Sequence, residues 1–273
     1  MSQPTSKRKA HWIPNQHGAW AMLVTPAVAG AITGLGLSGG RGAGVVVLIF
    51  GAWFAGYFAF FAFGQWARAR TPARKAPYRA PMLIPGAISL ACVAAVVAAR
   101  PGLVWFAPLF APLVAIAVWE TLRHRPRSLA SGVATTIASA LVFPALVAAV
   151  SPGLELPGEL WLATGFLAAY FTGTIPFVKT MIRERRSNGY LFASIAYHGL
   201  MAACVALAWG RLPVVAASLM LVVAVWALVR AVAFPLSMRR GRAWSPKAIG
   251  MAEVPLCVLA GLAVVLVGLG LGA

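Results

Sequence analysis

Residues 168 to 198 read A-A-Y-F-T-G-T-I-P-F-V-K-T-M-I-R-E-R-R-S-N-G-Y-L-F-A-S-I-A-Y-H. One apolar segment runs down into a basic turn, and a second apolar segment leaves it. Thr172, Pro176, Lys179 and Arg183 recur at helical spacing and therefore share one face of the first segment. Tyr190, Ser194, Tyr197 and His198 share a face of the second. Two membrane-length helices joined by a cationic loop, each with a polar stripe, is the unit from which the rest of the chain is built.

Outward from that hairpin the same unit repeats. Of 273 residues, 61% are hydrophobic and only 10% are charged. A soluble domain carries closer to a quarter charged residues, so this much apolar surface has to face lipid. Apolar runs of about 18 or more residues, each long enough to cross a bilayer, recur along the length. The expected fold is all-α, a polytopic membrane protein with nine transmembrane helices. Their expected spans are 17–37, 43–65, 82–99, 102–120, 129–150, 160–179, 190–210, 213–232 and 248–271. Residues 1–16 read as a cytoplasmic basic tail and 17–271 as a single transmembrane domain. The first apolar run extends past Ala27-Val28-Ala29 to Leu37, longer than a cleaved signal segment, and reads as a retained helix.

The formal charge of +18 comes from 23 Lys and Arg against five acids. Its placement excludes nucleic-acid binding as the explanation, because the basic residues sit in the short loops between apolar runs. With the N-terminus inside, 20 of them fall on the cytoplasmic side, Arg230 being counted at the end of the eighth helix. Arg41, Arg100 and Arg211 remain outside. That asymmetry predicts a bacterial cytoplasmic (inner) membrane protein with its N-terminus in the cytoplasm and its C-terminus outside. Tryptophans 12, 20, 66, 119 and 244 fall at the inner boundary and 105, 161 and 209 at the outer one.

The acids are Glu120, Glu155, Glu159, Glu184 and Glu253, and the sequence has no Asp. Hard divalent cations need clustered carboxylates, so no metal site and no cofactor is expected. Cys92, Cys204 and Cys257 stand singly inside apolar runs and read as packing residues. Gly30 and Gly34, four apart in the first helix, allow a close helix crossing. The fifth helix carries a small polar face of Ser131, Thr135 and Ser139. A shift of 113 residues lays Ala55-Gly56-Tyr57-Phe58 on Ala168-Ala169-Tyr170-Phe171 and Arg70 on Arg183. This allows a 4+4 parallel repeat plus one helix, a plan that puts ligand sites between the halves.

Ionisable groups inside a membrane are costly, which makes each one a functional candidate. His198 lies well inside the seventh helix, where it would serve as a proton-transfer group, a headgroup ligand or a neutral imidazole bonded to a neighbouring helix. Glu253 needs a basic partner, for which His198, Lys179 and Lys247 are the expected choices. Arg68, Arg70, Lys179 and Arg183 mark the inner ends of the second and sixth helices. They either snorkel to the interface or clamp a phosphate or carboxylate. Gln65, on the second helix near Arg68, and His17, at the mouth of the first, complete the candidate set with Tyr197. His11 and His124 read as solvated loop residues.

Three stretches carry a family resemblance: P-N-Q-H-G-A-W-A-M-L (14–23), the basic segment after the second helix, and F-V-K-T-M-I-R-E-R-R (177–186) followed by S-I-A-Y-H (194–198). Together they resemble the YwiC-like family of bacterial membrane proteins, a resemblance that implies no known activity. The helix plan also resembles, more distantly, the UbiA-type intramembrane prenyltransferases, which have nine helices and cytoplasmic active loops after helices 2 and 6. That likeness implies a prenyl diphosphate held by magnesium on Asp-rich motifs. The matching stretches here, Gln65 to Arg79 and Lys179 to Tyr190, contain no Asp and the single Glu184.

The expected function is a membrane protein whose partners are the bilayer and an anionic lipid or small anion. The ligand would be held in a cytoplasm-facing cavity lined by helices 1, 2, 6, 7 and 9. The alternatives are a UbiA-like transferase that has lost its Asp-rich motifs and a transporter of a small anionic solute. The sequence leaves the oligomeric state open.

Overall fold

A computed structural model describes residues 12–14, 17–151 and 155–271, with backbone only at His17 and Gly18. The basic tail up to His11, and the Asn15-Gln16 entry to the first helix, lie outside the described residues. All regular structure described is helical. The membrane-length helices are α1 (His17–Ser38), α2 (Ala43–Arg68), α3 (Pro72–Ala99), α4 (Ala107–Leu122), α5 (Leu129–Val150), α6 (Gly158–Ile182), α7 (Asn188–Ala208), α8 (Val214–Arg239) and α9 (Pro246–Leu269), with a 3-10 turn at Pro101–Phe106 leading into α4. Among the described residues, nine helical spans are long and apolar enough to cross a membrane. This is an all-helical polytopic membrane protein.

The two ends of the bundle are built differently. At the basic end, α3, α5, α7 and α9 each begin on a hydroxyl side chain. Thr71, Ser128, Ser187 and Ser245 accept from the backbone N–H groups of Arg74, Ser131, Tyr190 and Ala248, which satisfies donors the first helical turn leaves orphaned. At the same end α2, α6 and α8 finish with Arg68, Lys179 and Arg239 in their last turns, cations that favour the negative end of a helix dipole. At the far end, Gly39, Gly40 and Gly42 turn the chain between α1 and α2 with φ between 61° and 82°, a conformation that a Cβ would strain.

The segment 66–79, expected to be a loop, is mostly helix. α3 begins at Pro72, ten residues earlier than expected, and only residues 69–71 separate it from α2. Thr71 caps it and Pro72 occupies its first turn, where a missing N–H costs nothing. Pro77, Pro81 and Pro85 continue inside it. Transmembrane helices tolerate such prolines where neighbours satisfy the freed carbonyls.

α5 is the most enclosed helix, with Phe143, Leu146 and Ala148 fully buried. α1 lies directly on it, through the close crossing that the Gly30/Gly34 spacing anticipates. A Cβ at Gly30 would come within 2.8 Å of the Phe143 carbonyl oxygen, and one at Gly34 within 3.1 Å of the Leu146 carbonyl oxygen. Ser139 of α5 donates to the Met22 carbonyl across the same crossing. The main core is drawn from α1 and α5 to α9. α2 and α3 pack chiefly on each other and, with α4, form a second wall beside that core. The helix starts keep step with the internal shift: His17 to Leu129 is 112 residues and Ala43 to Gly158 is 115. The contacts differ, since α6 packs along α5 whereas α2 barely touches α1.

Candidate functional site

Three basic turns meet at the capped end of the bundle and leave two adjoining hollows between them. The first, about 570 Å³, is lined by Ala67, Arg68, Ala69, Arg70, Lys75 and His124. The second, about 590 Å³, is lined by Arg68, the turn from His124 to Leu129, Lys179, Arg183 and Tyr190. Arg68 and His124 belong to both and form the shared wall. No acid lines either hollow.

Several of the cations are held from behind. Arg68 donates through Nε to the Gly64 carbonyl at 3.0 Å and through Nη2 to Gln65 Oε1 at 2.9 Å. Lys75 lies over the Trp66 ring at 4.4 Å and Lys179 lies 5.7 Å from the Tyr190 ring centre. Arg125 alone has a carboxylate, Glu120 at 3.4 Å. His124 adopts φ 59°, the one described non-glycine residue in the left-handed region. There the chain reverses between α4 and α5 and turns this side chain onto the wall between the hollows. The first turn of α5, capped by Ser128, opens into the second hollow. Helix N-termini favour anions.

The structure thus brings together Arg68, Lys179 and Arg183, with Arg70 next door, from loops more than a hundred residues apart in sequence. The lining differs from expectation in two ways. Among the described residues, none of α1 or α9 lines these hollows; the start of α3 and the α4–α5 turn do. Gln65 orients Arg68 from behind and does not line the space. The side chain of His17 lies outside the described residues.

Tyr197, His198 and Glu253 line neither hollow. They belong to a separate polar cluster in the core among α5 to α9. His198 is ten residues into α7, roughly 15 Å along its axis. Its Nδ1 stands 2.7 Å from the Ser194 carbonyl, which can only accept, so Nδ1 donates there, and Nε2 has no hydrogen-bond partner among the described residues. That nitrogen faces Gly173, where a Cβ would sit 3.0 Å away. The bond is to its own helix, not to a neighbour. Tyr197 donates across to the Ala169 carbonyl of α6 at 2.9 Å, and Thr172 of α6 meets Thr136 of α5 at 2.8 Å.

The partner of Glu253 is Arg230, none of the three expected ones. Arg230 is not a loop charge at the end of α8. It lies nine residues inside that helix, with a side chain 1% exposed, in an ion pair with Glu253, whose side chain is 13% exposed. Its guanidinium stacks 4.2 Å over the Phe177 ring. Tyr170 places its hydroxyl 3.5 Å from both Glu253 Oε2 and Cys257 Sγ. The clue was present in V-V-A-V-W-A-L-V-R-A-V-A-F-P (222–235): four apolar residues follow Arg230 before Pro235, which places it inside the run. Of the cysteines, Cys257 is buried, Cys92 half-buried and Cys204 exposed on the outer surface of α7.

Comparison with known proteins bears on the first five helices most directly. Residues 13–147 match the model of the family described as YwiC-like protein. Over that segment the chain resembles the YwiC-like family. It is also similar to "Uncharacterized protein YwiC" of Bacillus subtilis, 28% identical over 247 residues that cover 89% of this chain and 92% of that protein. No solved structure matches it. The YwiC-like segment takes in α1 to most of α5, and with them Arg68, Arg70, Lys75, His124 and Arg127 of the two hollows.

Proposed function

We propose that this protein resides in the bacterial inner membrane, with its N-terminus cytoplasmic and its C-terminus outside. There it holds an anionic lipid headgroup or small anion in the paired basic hollows. The observation that carries this reading is the lining itself. Arg68, Arg70, Lys75, Arg127, Lys179 and Arg183 line two adjoining hollows with no carboxylate in the lining, Glu120 being paired with Arg125 behind it. Like charges brought together at a membrane boundary repel unless an anion sits between them. Arginine's planar fork suits phosphate oxygens, and basic hollows between helices on the cytoplasmic side are where lipid headgroups are held. The first turn of α5 adds backbone donors of the same sign. The buried Arg230–Glu253 pair is self-neutralising and takes no part.

Native mass spectrometry of protein purified in mild detergent tests this. The wild type is expected to carry an adduct with an anionic headgroup. Lys179→Gln with Arg183→Gln removes two charge-assisted bonds, each worth roughly 1.5 kcal/mol or more, and lowers its occupancy at least about tenfold. An adduct of undiminished occupancy in a variant with wild-type thermal unfolding would overturn the proposal.

A further inference from the structure

The basic surface has two adjoining parts, each lined by its own set of cations. We propose that its ligand carries two phosphate groups, one seated in each hollow, with Arg68 and His124 between them. This rests on the reading of the hollows as an anion site and adds the ligand's chemistry. Both hollows are open depressions at the surface of the bundle, and they adjoin at Arg68 and His124. Each also has cations of its own. Arg70 and Lys75 serve only the first, whereas Arg127, Lys179 and Arg183 serve only the second. A single phosphodiester brings one negative charge and fills one hollow, which leaves the other set of cations facing one another. A ligand with two phosphates satisfies both sets.

The wall supports the same geometry. Arg68 is pinned by two hydrogen bonds to its own helix, so it stands between the hollows instead of folding into either. Its remaining N–H groups are free to donate to both sides. His124 stands on that wall with its backbone in the left-handed conformation, a cost of order 1 kcal/mol. An imidazole has two ring nitrogens on opposite edges, and in its charged form both donate. The rim carries Trp66 behind Lys75, and Tyr190 and Leu129 beside Lys179, which suits a molecule whose tails continue into the bilayer.

The test is competitive binding to the full-length protein in neutral detergent, with lipids of matched acyl chains. Diphosphatidylglycerol supplies two phosphates and phosphatidylglycerol one. Phosphatidic acid is a one-phosphate control of higher charge, phosphatidylcholine a neutral control, and inorganic diphosphate a soluble control. Diphosphatidylglycerol is expected to bind at least about tenfold more tightly than either one-phosphate lipid. Arg70→Gln with Lys75→Gln is expected to reduce that ratio to about one. Inorganic diphosphate, whose two phosphorus atoms share one bridging oxygen, cannot seat a phosphate on each side of Arg68 and His124, so competition by it this well would overturn the two-hollow arrangement and leave a single anion site. Equal affinity per phosphate for the one- and two-phosphate lipids would overturn the inference while leaving the anion site intact. Binding of no anionic compound above phosphatidylcholine would overturn both. His124→Gln is read against phosphatidic acid, so that a lost preference for two phosphates separates from a general loss of binding.

Discussion

Replacing Arg230 and Glu253 singly and together separates a charge pair that has to be complete from a pair of independent polar residues. The two meet within the core, Arg230 1% exposed and Glu253 13% exposed. Removing one member of such a pair strands the other away from water and costs about 3–5 kcal/mol, whereas replacing both with apolar residues of similar size is close to neutral. Glu253→Leu is expected at the upper end. A guanidinium cannot shed its charge, and its remaining support is the Phe177 face at 4.2 Å, worth about 0.5–2 kcal/mol. Arg230→Leu is expected at the lower end, because a carboxyl can take up a proton and Tyr170 still stands 3.5 Å away to donate. The double Leu variant should return to within about 1 kcal/mol of wild type, a coupling of several kcal/mol. Equilibrium unfolding in mixed detergent micelles measures all four corners of the cycle. Additive single effects, with the double variant the least stable, would refute the reasoning.

Other outcomes follow from individual contacts. Gly30→Ala forces a methyl to within 2.8 Å of the Phe143 carbonyl oxygen and should cost about 1–3 kcal/mol, whereas Gly165→Ala, which meets nothing within 4 Å, should be tolerated; the same unfolding assay compares them. Tyr197→Phe loses the bond to the Ala169 carbonyl and should cost about 1 kcal/mol with no change in anion binding. Retention of an anionic lipid should weaken as salt rises from about 0.01 M to 0.15 M, where the screening length falls from about 30 Å to 8 Å, and salt-independent retention in native mass spectra would contradict an electrostatic site. In a cysteine-free background, a membrane-impermeant maleimide should label Arg41→Cys and spare Arg240→Cys in intact cells. The reverse labelling would invert the proposed orientation.

Apolar length alone carried the helix count, because each span must satisfy its own backbone in lipid and so cannot be anything but helical. Residue spacing likewise anticipated that α1 makes a close crossing through Gly30 and Gly34, though not that its partner is α5. What spacing cannot convey is which helices meet across the bundle. Lys179 and Glu253 are both expected in one cavity, yet one opens to a basic hollow and the other turns inward to Arg230. Arg230 was misplaced because loop charges and buried charges look alike near the end of an apolar run, and the four apolar residues after it were the only distinguishing mark. His124 was passed over because its role depends on a backbone conformation that its residue type seldom adopts. The start of α3 falls in the basic segment expected to be a loop, although Thr71 and Pro72 mark it.

The central claim is that an anion occupies the hollows bounded by Arg68, Lys179 and Arg183. The most direct measurement is a cryo-electron microscopy map of the protein in nanodiscs containing phosphatidylglycerol, stabilised by a rigid binding partner on the opposite face. The account predicts headgroup density bridging Arg68 to Lys179 and Arg183, lost when the last two are replaced by Gln. Lipid density confined to the outer faces of α3 and α4, with Lys179 and Arg183 splayed into solvent, would contradict it.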